Sequence, residues 1–363
     1  MHIREVEIVN FRNYKEEKIK FHEKLNVFTG GNAQGKTNIL ESIYISSMGR
    51  SFRSGKDSEM IKIGESFCKS KVVALRGGEE ITVEIAITSK EKGVKINNAK
   101  IKKSSELAEN VLIVVFSPED LRIVQGDPER RRRFMDRELS QIKPSYYSDL
   151  SSYKRVLTQR NALLKDRNAN KVDFEVWDEK MVDHGSRIIK KREIFVDKIN
   201  TISGKIHSEI TNGKESLKVL YDCSVSPDSF LDALKDNFKK DILRGNTETG
   251  PHRDDLEIRA NGMDIRRFGS QGQQRTAALS LKLAEINIIK EETGESPVLL
   301  LDDVLSELDG ERQNFLIKSL KNVQIFLTAA EISNRVFEKL PDGYTFYVDS
   351  GSVKKEVVKW QKF

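Results

Sequence analysis

One stretch limits this chain more than any other: Gly30, Gly31, Asn32, Ala33, Gln34, Gly35, Lys36 and Thr37 in succession. It fits G-x-x-x-x-G-K-[ST]; it follows Leu25-Asn26-Val27-Phe28, which reads as a buried strand, and opens Asn38 to Ile45, which reads as a helix. A strand, a glycine-rich loop and a helix start in that order make a phosphate cradle. The glycines let successive backbone N–H groups turn inward, and the helix N-terminus adds the positive end of its dipole. Lys36 would hold a charge between β- and γ-phosphates, and the Thr37 hydroxyl would ligate Mg²⁺. The run from Gly30 to Asn38 is therefore expected to bind a nucleoside triphosphate with its metal.

The remaining composition bounds the setting. At 363 residues there is room for two or three domains. No apolar run approaches the roughly 18 residues of a membrane span, and Met1 to Val6 reads as a strand rather than a signal peptide. Cys68 and Cys223 offer neither a disulfide framework nor zinc spacing. A cytoplasmic protein without a membrane partner is expected. The formal charge of +6 and pI near 9.0 suggest a polyanionic partner, but with 62 basic against 56 acidic residues the local patches must decide.

Along the chain, Ile3 to Phe28 reads as strand, turn, strand, strand on one small sheet. Arg12 and Asn13 occupy its first turn, where they could touch the nucleotide. Gly49 to Lys56 is a basic loop, with Arg50, Arg53 and Lys56 suited to phosphate contacts. From Lys71 to Lys102 a period of two, with Ile81, Val83, Ile85 and Ile87 on one face and turns at Gly77-Gly78 and Asn97-Asn98, predicts an antiparallel sheet. Val111 to Phe116 is apolar on both faces, as a central strand should be. Asp127 and Pro128 start a helix carrying Arg130 to Arg133, in which Arg132 and Asp136 have pairing distance. Tyr146, Leu150, Tyr153, Leu157 and Leu164 form one helical stripe; Trp177, Met181, His184, Ile188, Phe195, Ile199, Ile202, Ile206 and Ile210 form a second. Together they predict a coiled-coil-like hairpin turning near 166–171. A short helix capped by Ser226 and ended by Gly245 follows, then a hairpin about Asn261-Gly262 with arms Asp255–Ala260 and Met263–Phe268. Ser270, Gly272 and Gln274 lead into another helix, a second candidate anion site. Val298 to Leu301 is a parallel-type strand ending in Asp302 and Asp303, the place for a second metal contact to the bound nucleotide.

As a set, these motifs resemble the head of an ABC-type ATPase. The phosphate loop, Ser270-x-Gly272-x-Gln274 as signature, Asp302-Asp303 in the Walker B place and Ser306 to Asp309 in the D-loop place occur in that family's order. The helical insertion resembles the SMC-like branch. Within it, Gly30 to Asn38, Gly49 to Arg53, Ser117 to Leu121 and Gly250 to Asp255 look like the RecF family of bacterial recombination mediators. The resemblance implies an α/β ATPase head with a mixed sheet, a P-loop core and an antiparallel subdomain, interrupted by a helical domain carrying a short hairpin. It divides the chain into 1–137 and 251–363 for the head and 138–250 for the insertion. ATP and Mg²⁺ are the implied cofactors, with Lys36, Ser270, Asp302 and Asp303 as catalytic residues and Thr37 and Asp302 at the metal. ATP held by Lys36 of one copy would meet Ser270 of another, giving an ATP-dependent homodimer on double-stranded DNA near gap junctions. RecR is the implied partner, with RecO and RecA in the same pathway, and DNA repair, replication and the SOS response are the implied setting. Arg50, Arg53, Lys56, Lys102, Lys103 and Arg131 are the candidate DNA contacts. Asp303 stands where many relatives carry glutamate, which predicts slow hydrolysis. No glutamine stands in the Q-loop place, where Ser117 is nearest, and Thr328 sits where a switch histidine is common.

Two rival classes share the loop. A nucleotide-binding subunit of an ABC transporter would not need the helical hairpin or the basic loops. A P-loop small-molecule kinase would need an acceptor pocket and lid, and no Ser270-type signature.

Overall fold

The computed structural model describes residues 1–102, 106–166, 171–320, 322–330 and 340–356. They form two compact units, one made of 1–121 with 285–363, the other of 122–284. In chain order the first unit holds β1 (His2–Val9), β2 (Glu16–Lys20), β3 (Leu25–Thr29), α1 (Lys36–Met48), β4 (Phe67–Arg76), β5 (Glu79–Thr88), β6 (Lys92–Ile96), β7 (Ala99–Lys100) and β8 (Ile113–Phe116). The second holds α2 (Pro128–Ile142), α3 (Pro144–Leu163), α4 (Lys171–Ile210), β9 (Leu217–Asp222), α5 (Phe230–Arg244), β10 (Asp255–Ala260), β11 (Met263–Asp264), α6 (Ile265–Phe268) and most of α7 (Gln271–Thr293). The first unit resumes with β12 (Val298–Asp302), α8 (Gly310–Ser319), β13 (Ile325–Thr328), β14 (Gly343–Asp349) and β15 (Ser352–Glu356).

Two six-stranded sheets build the first unit. One is antiparallel, ordered β2-β1-β4-β5-β6-β7, with Gly77-Gly78 and Asn97-Asn98 turning at positive φ as the sequence predicts. The other, ordered β15-β14-β3-β13-β12-β8, is parallel except for β15. β3 therefore leaves its two predecessors and joins the second sheet, so the first three strands do not share one sheet as expected. β8 is likewise an edge strand rather than a central one, although its four residues are all buried. Periodicity reports burial, and an edge strand covered on both faces reads like a central one. Helix α1 lies against β4 and β5 and also against β8, β12 and β13, which buries it nearly all round. Its buried Ser42, Ser46 and Ser47 donate to carbonyls one turn back, which satisfies hydroxyls that have no water to turn to.

The second unit is built on the predicted helical hairpin. Tyr146 meets Arg192, Asp149 meets Arg187, and Arg160 meets Asp178, so α3 and α4 run antiparallel. The stripes differ from the purely apolar expectation: Leu150, Leu157, Trp177, Ile202 and Ile210 are only half-buried, while Arg160, Arg192 and His207 are fully buried. Arg160 donates to Asp178 Oδ1 at 2.6 Å, Asp241 Oδ2 at 2.8 Å and Thr247 Oγ1 at 2.8 Å. Arg192 reaches Tyr146 Oη, the Pro251 carbonyl, Asp254 Oδ2 and Asp136 Oδ1, all within 3.0 Å. That takes Asp136 away from its expected partner, and Arg132 donates instead to the Asp254 carbonyl. Helix α5 begins at Phe230, after a turn made by Ser226 to Ser229, and ends on a left-handed Gly245 as predicted. The Asn261-Gly262 hairpin forms, but its second arm is only two residues long before the chain coils into α6.

The segment Gly250 to Asp255 is the hub of this unit. Gly250 has φ +130°, and a Cβ there would stand 2.4 Å from Tyr153 Oη. His252 faces Tyr153 Oη and the Thr247 carbonyl, and burial pushes its pKa down to about 4. Asp255 takes a bidentate bond from Arg131 on α2, and β10 pairs with β9. These ties place α2 and β10 with the helical part, so the division falls at 121/122 and 284/285 rather than at 137/138 and 250/251.

Candidate nucleotide site

β3 delivers the chain into the phosphate loop, and two other turns clasp it. Gly30 has φ +133°, and the Val348 carbonyl of β14 stands 2.3 Å from where a Cβ would be. Gly35 has φ +119°, with Asn13 Nδ2 and Tyr14 Oη both 2.7 Å from the Cβ position. No L side chain fits at either place without displacing backbone or clasp. Asn13 Nδ2 donates to the Gln34 carbonyl at 2.8 Å, Tyr14 Oη to the Gly35 carbonyl at 3.1 Å, and Asn38 Nδ2 to Asn13 Oδ1 at 2.9 Å. From the other side, the turn after β14 donates Ser350 N to Gln34 Oε1 and Gly351 N to the Gln34 carbonyl. Asn13 is thus committed to holding the loop backbone, a task that its sequence position as a turn residue does not disclose.

Lys36 Nζ donates to the Gly30 and Gly31 carbonyls at 2.5 and 2.7 Å. Burial lowers its pKa, and Asp303 and Asp302 oppose that effect. Thr37 Oγ1 donates to Asp302 Oδ1 at 2.7 Å, and Thr328 Oγ1 donates to the same oxygen at 2.8 Å. Burial raises the Asp302 pKa against the pull of those two hydroxyls and of Arg53. A hydroxyl and a carboxylate oxygen side by side next to a phosphate loop are the hard donors that Mg²⁺ takes, with phosphate oxygens and waters completing its shell. Among the described residues no group of three or more His, Cys, Asp or Glu could hold a metal without such help. Asp303 differs from Asp302: it is exposed and left-handed at φ 54°, with its backbone N–H on Thr328 Oγ1 at 3.0 Å. Thr328 in the switch place thus anchors both aspartates. In the D-loop place, Asp309 caps α8 by accepting from Arg312 N at 3.0 Å.

The basic candidates scatter. Arg53 Nη1 donates to Asn38 Oδ1 at 3.1 Å, which puts this cation beside the phosphate loop rather than on a separate nucleic-acid face. Arg12 grips the fully buried Glu41 of α1 through Nε and Nη2 at 2.8 and 2.6 Å and also bonds the Glu59 carbonyl and Ser54 Oγ. It therefore fastens the basic loop to α1, where the sequence offered it as a nucleotide contact. Arg50, Lys56 and Lys102 are exposed. Lys103 lies outside the described residues. Arg131 is only 2% exposed and spent on Asp255, so it is not a DNA contact. Helix position alone could not separate it from the exposed Arg133, which pairs with Glu129.

In the second unit, Ser270 is exposed at the start of α7 and forms a reciprocal cap. Gln273 N donates to Ser270 Oγ at 3.2 Å, and Ser270 N donates to Gln273 Oε1 at 2.9 Å. The Gly272 carbonyl accepts from Thr276 Oγ1 one turn on. Gln274, expected at the nucleotide, is buried: its Nε2 donates to the Ile265 carbonyl at 3.0 Å and its Oε1 accepts from Gln125 Nε2 at 2.5 Å. It holds α6 and the loop before Ser270.

A parallel sheet with a phosphate loop after β3, a carboxylate at the end of β12 and a capped serine signature define the head of an ABC-type ATPase of the SMC-like branch. Comparison with known proteins agrees. The family described as RecF/RecN/SMC N terminal domain matches residues 2–351. The DNA replication and repair protein RecF of Alkaliphilus oremlandii is 43% identical over 364 residues, covering 97% of this chain and 100% of that one. Its counterpart in Clostridium novyi is 44% identical over 363 residues, covering 98% and 100%. A solved structure of the recombination mediator protein RecF with ATP, from the RecFOR pathway, superimposes with a TM-score of 0.91 at 38% identity over 98% of each chain. An Smc head bound to the C-winged helix domain of ScpA shares the fold, with a TM-score of 0.59 at 15% identity. The chain belongs to the RecF family of DNA replication and repair proteins. The transporter-subunit and small-molecule-kinase readings fall away with that membership. Among the described residues no helix is long and apolar enough to cross a membrane.

Proposed function

We propose that this protein is an ATP-driven DNA clamp of recombinational repair in the cytoplasm. Two copies pair around ATP, so that Ser270 of each copy donates to the γ-phosphate held on Lys36 of the other, and the pair closes on double-stranded DNA near gaps. The observation that carries this reading is the state of Ser270. Its oxygen accepts from Gln273 N, and among the described residues its own proton has no acceptor, which leaves it to be donated to an incoming anion. Thr37 and Asp302 would hold Mg²⁺, which would neutralise phosphate charge. Hydrolysis is slow in this reading, because Asp303 is one methylene shorter than glutamate and is turned into the left-handed region. Arg50, Lys56 and Lys102 are the remaining candidates for phosphate-backbone contact, which would make DNA binding sequence-tolerant and steeply salt-dependent. RecR is the proposed partner, with RecO, in loading RecA; the solved relative's place in the RecFOR pathway supports this.

Sedimentation velocity tests the pairing. The wild-type protein is expected to double its mass with ATP and Mg²⁺ but not with ADP or without nucleotide. Ser270→Arg should bind ATP and stay monomeric. If ATP binds tightly and the wild-type chain stays monomeric with and without duplex DNA, the reading is wrong.

A further inference from the structure

We infer that Glu215, on the loop between α4 and β9, is a positioning residue that sets the signature serine for pairing. The inference rests on the ATP-pairing reading above. Gln273 completes the cap on Ser270 only with its amide turned one way, Oε1 toward Ser270 N. An amide has nearly the same shape when flipped, and in the flipped orientation an N–H₂ would face the Ser270 N–H, donor against donor. The contact that decides between them is Gln273 Nε2 donating to Glu215 Oε1 at 2.9 Å. An ionised carboxylate can only accept, so Glu215 admits one orientation of the amide.

Glu215 is itself fixed by the foot of the long helix. Its other oxygen, Oε2, lies 3.2 Å from Nε2 of His207, which is 0% exposed in the last turn of α4. His207 Nδ1 lies 3.3 Å from Ser280 Oγ on α7. Thr211 Oγ1, one turn after His207, accepts from Glu215 N at 3.3 Å. Glu215 thus links the foot of α4 to the start of α7, and the link ends on the hydroxyl proposed to meet the phosphate.

Glu215→Ala frees the Gln273 amide to rotate, and the Ser270 loop with it. Because a symmetric pair uses the loop twice, the loss enters twice, and pairing in ATP should weaken at least about tenfold. ATP binding to the unpaired chain should stay within about twofold, since neither Lys36 nor Thr37 is touched. The decisive variant adds Gln273→Glu to Glu215→Ala. A carboxylate at 273 offers Ser270 N an acceptor in either orientation, so the double variant should recover most of the lost pairing. A residue that merely supported the fold would not be rescued in this way. The measurement is the pairing constant by sedimentation equilibrium in ATP and Mg²⁺, with melting temperature recorded for each chain. Pairing of Glu215→Ala at the wild-type constant would overturn the inference, as would a double variant no better than the single one. A wild-type chain that never pairs would instead condemn the clamp reading itself.

Discussion

Arg192→Met is expected to cost about 3–5 kcal/mol of stability in the second unit. The guanidinium is buried, and it neutralises two carboxylates, Asp136 at 2.8 Å and Asp254 at 2.9 Å, while also satisfying Tyr146 Oη and the Pro251 carbonyl. Methionine fills much of the volume but takes the ion-pair partner from the fully buried Asp254 and leaves Asp136 with only Tyr146 Oη and Lys154 at 3.8 Å. The melting temperature should fall on the order of 10 °C, and Asp254→Asn added to Arg192→Met should recover part of the loss by removing one orphaned charge. The pH dependence gives a second check. Burial alone would raise Asp136, but Arg192, Lys154 and the Tyr146 hydroxyl overcome it and leave its pKa below the ordinary 3.8. Stability from a lowered carboxylate is fully present above the unfolded value and lost as pH falls through the folded one. Wild type should therefore lose stability below about pH 4, and Arg192→Met should lose less over that range. Thermal melts of the two chains between pH 3 and pH 7 measure this; equal melting temperatures at neutral pH would show that the network does not hold the unit together.

Lys36→Met should weaken ATP binding by at least about a hundredfold while leaving the fold intact. Among the described residues the ammonium makes two hydrogen bonds, both to carbonyls of its own loop, and burial already lowers its pKa. Its charge is thus held partly desolvated beside the phosphates' place, where a cation counts for more than in water. Titration calorimetry with Mg²⁺ and ATP measures the loss. The melting temperature without nucleotide should move by no more than a few degrees, because the clasp from Asn13, Tyr14 and Ser350 is untouched.

What the sequence disclosed and what it hid divide along one physical line. The phosphate loop, the Asn261-Gly262 turn, the Asp127-Pro128 helix start and the Gly245 helix end were legible because each is fixed by residues within a turn of one another. Whatever depends on a distant partner was not. Asn13 and Ser350 meet at Gln34 from opposite ends of the chain, so neither declares itself as part of the clasp. Arg131 stands in a basic run and was a candidate DNA contact, and Arg192 closes the run Lys190-Lys191-Arg192, yet each is sealed against an aspartate far along the chain. Gln274 fits a nucleotide-facing signature by spacing, but its amide is taken by the Ile265 carbonyl and Gln125. The segment Gly250 to Asp255 was recognisable only as a family likeness; the structure supplies its reason, a glycine pressed on Tyr153 and two aspartates serving two buried arginines. The apolar stripes of α3 and α4 announced a hairpin correctly and its core incompletely, because ion pairs such as Arg160 with Asp241 have no hydrophobic period.

The central claim is that each nucleotide is shared by two copies, and mixing two dead chains tests it most directly. Lys36→Met lacks the cradle cation but keeps Ser270; Ser270→Arg keeps the cradle and lacks the signature. Each alone should fail to pair or turn over ATP. Mixed in equal amounts, they can build one intact site from Lys36 of one chain and Ser270 of the other, so ATP-dependent pairing and a fraction of the wild-type turnover should return. A mixture as inert as its components, from chains that melt like wild type, would contradict the shared site.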